Sequence, residues 1–103
     1  MNPTLGRVPA VGVEVRLDAG TVLPGRVWCA PVPRGMVAIV HGLGEHSARY
    51  ACLASDLVEA GWTVVAFDLP GHGDARGPRG HLPSWVGLRD ALVPAMFTVS
   101  QAM

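Results

Sequence analysis

Lysine is absent from this chain. Its eight basic residues are all arginines, and eight acidic residues balance them to a formal net charge of zero. A nucleic-acid-binding domain carries a basic footprint, and attraction to anionic lipid needs a polybasic patch. Neither is present, and the arginine-for-lysine bias reads as coding bias. Cysteine is also scarce. Cys29 and Cys52 make no C-x-x-C and no metal-ligand spacing, so both are expected to be reduced, partly buried thiols in a reducing compartment. Long apolar runs are missing. The longest are about five residues, against the ~20 that a membrane-crossing helix needs. No apolar signal-peptide core follows the stretch from Met1 to Arg7. The expected location is cytoplasmic. Internal repeats and low-complexity segments are absent as well.

What remains is a chain of 103 residues, half of them hydrophobic and 16% charged. That composition suits one small globular domain or part of a larger one, and excludes disorder. A domain of this size buries roughly two-thirds of the surface its unfolded chain exposes, which implies modest stability.

From Val13 the segment Val11–Leu17 alternates apolar and polar residues, as a half-buried strand does. Asp18-Ala19-Gly20 is a turn signal, and Thr21 to Cys29 reads as a second strand, forming an antiparallel hairpin with the first. Pro24 inside it predicts an edge position or a bulge. Met36 to Val40 is continuously apolar, which fits a strand covered on both faces in a parallel sheet. Ser47 is the predicted N-cap of the next helix. Tyr50, Leu53, Ala54, Leu57 and Val58 form its apolar stripe and Gly61 its C′ residue. Trp62 to Phe67 is a second buried strand, completing a β-α-β unit with a right-handed crossover. Ser84 can cap a last helix with Trp85, Leu88, Leu92, Met96, Val99 and Met103 on one packing stripe, and Pro94 should kink or break it. An α/β chain that stops on such a helix reads as truncated.

The most informative stretch is His41-Gly42-Leu43-Gly44-Glu45-His46, directly after Met36–Val40. Glycines at the end of a buried strand permit a sharp turn with uncovered main-chain N–H groups. Such donors can be aimed at a developing oxyanion.

Two blocks carry a resemblance. His41-Gly42-Leu43-Gly44-Glu45-His46-Ser47-x-Arg49-Tyr50 resembles the monoacylglycerol lipase and lysophospholipase branch of the α/β hydrolases, a serine aminopeptidase-like group. Phe67-Asp68-x-x-Gly71-His72-Gly73, followed by Gly77-Pro78-Arg79-Gly80-His81, is similar to a block found more widely in that superfamily. Ala75 departs from the Ser or Thr common in the family, and Leu69-Pro70 from its usual polar pair. Gly44 stands where relatives with an aspartate nucleophile, the dehalogenases and epoxide hydrolases, have proline.

The resemblance implies an α/β fold: the N-terminal part of an α/β hydrolase, with an antiparallel hairpin, a β-α-β unit, a following helix and an incomplete sheet. Residues 1–103 would be an N-terminal segment that stops before the nucleophile elbow, since no Gly-x-Ser-x-Gly is present. None of Ser47, Ser55, Ser84 and Ser100 lies on such an elbow. The parent enzyme would cleave carboxylic esters such as monoacylglycerols or lysophospholipids through an acyl-enzyme, without metal or organic cofactor.

Within that resemblance the backbone N–H of Leu43 is an oxyanion donor. His41, Gly42 and Gly44 support its turn. Glu45, His46 and Arg49 stand at the substrate pocket, although Glu45 and Arg49 equally suit an i, i+4 surface pair. His41 is read as structural, not as the catalytic base. His46, His72 and His81 share no zinc-ligand spacing. Asp68 is read as an anchor for the loop after its strand. The expected partner is a small-molecule ester or lipid substrate, with no nucleic acid and no transmembrane segment. The strand Met36–Val40 would normally have a neighbour on each side. Losing one leaves an unpaired edge for self-association or for another chain, so a non-catalytic pairing or regulatory module is the alternative function.

Overall fold

The structure is a computed structural model. It describes residues 6–16, 22–41, 46–69, 73, 75 and 85–102, the side chains of 85–88, 91 and 102 excepted. Four strands, β1 (Val11–Arg16), β2 (Val22–Trp28), β3 (Gly35–Val40) and β4 (Trp62–Phe67), form one sheet in the order β1-β2-β4-β3. β2 pairs antiparallel with both β1 and β4, while β3 runs parallel to β4. A 3₁₀ turn (Ser47–Tyr50) leads into helix α1 (Ala51–Glu59), which crosses from β3 to β4, and helix α2 (Trp85–Ala102) follows. The turn at Asp18-Ala19-Gly20 and the cap at Ser84 lie outside the described residues.

Successive side chains of a strand go to opposite faces, and β4 divides its residues accordingly. Val65 and Phe67 join Val15, Leu23, Val27, Ala95 and Val99 in a core under α2. Val64 and Ala66 join Trp28, Ala30, Ala51, Ala54 and Val58 in a core under α1. Three layers result, with β4 buried on both faces. The continuous apolar reading of β4 therefore holds.

Local structure departs from the sequence expectations at five places. Ser47 does not cap α1. It sits buried in the 3₁₀ turn, and α1 starts four residues later. Leu53 is 49% exposed, because the buried face of α1 is Ala51, Ala54, Ser55 and Val58. Pro24 is on neither an edge strand nor a bulge. It stands at the end of the β2–β4 ladder, where its C=O still accepts the Asp68 N–H at 2.7 Å and only one bond is forgone. Pro94 does not break α2, which runs through it. Both Pro94 and Asp90, whose carbonyl loses its partner, lie on the exposed side, where water can replace the missing bond. Cys29 is exposed rather than partly buried, and neither cysteine is in a disulfide.

Two locks were not visible in the sequence. The Arg34 N–H donates to the Gly61 carbonyl at 2.7 Å, and its guanidinium lies 5.3 Å from the Trp62 ring centroid. Gly61, at φ +100°, ends α1 as the expected C′ residue. On the same C-terminal half of α1, Val8 N–H donates to Ser55 Oγ at 3.0 Å and Arg7 pairs with Glu59 and Asp56. Hydrogen bonding to Glu59, then to Asp56, raises the Arg7 pKa. This exposed cluster straps the segment before β1 onto α1.

Candidate active site

In open α/β sheets, ligands bind beyond the carboxyl ends of parallel strands. Here β3 and β4 end in register, Val40 opposite Phe67. His41 and Asp68 are therefore the first residues beyond the ladder, side by side on adjacent strands. Both are buried.

His41 Nε2 accepts the Leu69 N–H at 2.9 Å. An accepting Nε2 places the proton of the neutral ring on Nδ1. Its lone pair is engaged by a main-chain donor and cannot take a proton from a nucleophile while that bond is made. This geometry suits a residue that ties the exit of β3 to the exit of β4.

Asp68 is 3% exposed. A buried carboxylate needs hydrogen-bond donors to offset its lost hydration. One of them is the Ser47 N–H, 2.8 Å from Oδ1. A Cβ added to Gly73 would come within 2.6 Å of both carboxylate oxygens, and Gly73 itself has φ +49°. The last glycine of Asp-x-x-Gly-His-Gly is thus required by the close approach of its own first residue. Gly71 and His72 between them lie outside the described residues, as do residues 77–81 with Gly77 and His81.

Ser47 is held from a second direction. Arg26 Nε donates to Ser47 Oγ at 3.3 Å. The sequence reading missed Arg26. The available signal was a charged residue inside the apolar run of β2, on the same parity as the buried Trp28.

The remaining sequence candidates divide clearly. Gly42, Leu43, Gly44 and Glu45 lie outside the described residues. His46 is half-buried and extended (φ −161°, ψ 164°), and its carbonyl accepts the Arg49 N–H at 3.3 Å. Arg49 is exposed. Ser55 and Ser100 each donate to a carbonyl of their own helix, at 2.9 and 2.7 Å. Among the described residues no three His, Cys, Asp or Glu side chains are grouped to hold a metal ion, and no helix is long and apolar enough to cross a membrane. A hollow of about 460 Å³ beside the network is bordered by Glu14, Arg26 and Asp68. Its charged lining is unlike an acyl site, which is mostly apolar.

Comparison with known proteins agrees with this architecture. Residues 31–97 match the family model described as serine aminopeptidase, S33. The monoacylglycerol lipase of Mycolicibacterium smegmatis is 46% identical over 57 residues, covering 54% of this chain and 20% of that protein. A thermostable carboxyl esterase from Bacillus coagulans superposes with a TM-score of 0.58 at 34% identity, over 64% of this chain and 22% of the esterase. A soluble variant of Saccharomyces cerevisiae monoglyceride lipase covers 98% of this chain and 34% of its own, with a TM-score of 0.70. At 20% identity that last likeness bears on the fold alone. The chain thus spans about a fifth of the length of the Mycolicibacterium lipase it matches. With the matched span covering both motif blocks up to Gly73 and beyond, this chain belongs to the serine aminopeptidase S33 family and has the α/β-hydrolase fold.

Proposed function

We propose that this chain contributes the oxyanion-loop portion of a serine hydrolase that cleaves carboxylic esters of the monoacylglycerol or lysophospholipid class. One observation carries the reading. The His-Gly-Leu-Gly-Glu-His segment leaves the carboxyl end of the parallel strand β3, and its flanking residues His41 and Ser47 are both hydrogen-bonded to the chain leaving β4. The S33 family match and the name of the Mycolicibacterium relative support the ester class. In this reading Leu43 N–H is one of two donors to the tetrahedral oxyanion. Glu45, His46 and Arg49 flank the substrate, and His41, Gly42 and Gly44 shape the turn. The nucleophile, acid and base come from a Gly-x-Ser-x-Gly-bearing portion that the 103 residues do not contain.

A purified 103-residue chain is accordingly expected to give no turnover of p-nitrophenyl esters. Turnover that a serine-directed fluorophosphonate abolishes would reveal a nucleophile among its own serines and end this reading.

A second reading, a module that pairs with another chain, is favoured by the state of β3. Among the described residues β3 pairs only with β4, it carries no charge, and Val40 at its end is 53% exposed. An uncharged, apolar edge invites strand addition. Size-exclusion chromatography is expected to place the chain above its 10.8 kDa monomer mass. Val40→Lys should shift it back towards monomer, and elution of the unaltered chain as a monomer rejects self-pairing.

A further inference from the structure

Asp68 and Leu69, consecutive residues leaving β4, hold both ends of a single stretch of chain. The Leu69 N–H grips His41, and the Asp68 carboxylate grips the Ser47 N–H. Ser47 is then gripped a second time, through its hydroxyl, by Arg26 of β2. The Asp68 main chain is itself fixed, since its N–H donates to the Pro24 carbonyl at 2.7 Å. The donor of an oxyanion hole works only if it is held within about 0.5 Å of its working position. The stretch is pinned at its first and last residues, His41 and Ser47, to two consecutive residues just beyond a central strand, which serves that need.

We propose that Asp68 is a positioning residue for the oxyanion turn: its carboxylate sets where the chain returns to the fold at Ser47, and with the Leu69–His41 bond fixes the separation of the turn's two ends. This inference rests on the oxyanion reading above. The geometry explains the choice of side chain. A carboxylate accepts main-chain N–H groups more strongly than a neutral oxygen does, and Gly73 leaves it the room its oxygens occupy. It also explains Arg26, whose guanidinium fixes the hydroxyl of the residue that the carboxylate fixes by its backbone.

The test is hydrogen exchange by mass spectrometry on the full 103-residue chain, comparing peptides over residues 42–50 with peptides over β4. Asp68→Ala is expected to speed exchange at 42–50 by roughly tenfold to a hundredfold, the range for losing a bond to a charged acceptor, while β4 stays within about threefold. Asp68→Asn keeps an acceptor oxygen and is expected to restore most of the protection. Ser47→Ala keeps the main-chain donor and should behave like the unaltered chain. Equal acceleration in both regions for Asp68→Ala would make Asp68 merely structural and overturn the assignment. Loss of protection in Ser47→Ala would transfer the role to the Arg26 contact, with the same result. If Asp68→Ala does not fold, Asp68→Asn decides alone: its weaker acceptor should speed exchange at 42–50 a few-fold with β4 unchanged, and no change at 42–50, or equal acceleration in both regions, overturns the assignment. No ester turnover enters these readouts, so the clamp can fail while Leu43 keeps its role, and Leu43 can fail while the clamp stands.

Discussion

Leu43→Pro, in an ester hydrolase that carries this segment, is expected to lower kcat by about 10²–10³-fold, the usual loss for one oxyanion donor. The suitable host is a chimera in which residues 31–97 replace the matching span of the Mycolicibacterium monoacylglycerol lipase. Proline removes the main-chain N–H assigned to the oxyanion and nothing else polar. KM should change little, because the donor acts on charge that develops only in the transition state. Leu43→Ala keeps the N–H and is expected to stay within a few-fold of the parent chimera. Steady-state kinetics on a monoacylglycerol, with thermal unfolding as a folding control, separates the cases. Equal losses in both variants would assign the effect to the leucine side chain and reject the backbone role.

Trp28→Ala is expected to cost about 3–5 kcal/mol of folding stability. Trp28 is 1% exposed and is the largest fully buried side chain among the described residues. Its neighbours in the core under α1 are mainly small: Ala30, Ala51, Ala54 and Ala66, with Val58 and Val64. The indole is the largest side chain in the space between sheet and helix. Alanines have no length with which to collapse into the space it would leave, which favours the upper end of the range. Domains have only about 5–15 kcal/mol in total. At an m-value of about 2 kcal/mol/M the urea midpoint should fall by roughly 2 M, or the cooperative transition should vanish. A loss below about 1 kcal/mol would mean that α1 closes onto the sheet, contrary to this packing.

The strands were legible because periodicity is local. Trp62–Phe67 needed only its own residues to be read as doubly covered, and Gly61 only its place after an apolar stripe; Met36–Val40 was legible as a strand but not as an edge, where it is half-buried with Val40 exposed. The start of α1 was not legible, because Ser47 is claimed by Asp68 and Arg26, each 21 residues away. A serine before a helix looks like a cap until such long-range partners are known. Leu53 was misplaced because the helical stripe follows α1 as it begins at Ala51, not at Ser47. For the same reason the site was only partly readable. His41 and Asp68 belong to different motifs and stand 27 positions apart, and only the parallel register of β3 and β4 makes them neighbours. The strap formed by Arg7 and Val8 left no local pattern at all.

The position of β4 in the sheet also governs when folding can begin. Both β2 and β3 find their partner there, yet β4 is made last of the four. During translation only the β1–β2 hairpin could pair beforehand, and an isolated hairpin is marginal in water. The nascent polypeptide therefore has no sheet beyond that hairpin until Phe67 has cleared the ribosomal tunnel, and until then the apolar residues of β3 have no strand to pair with.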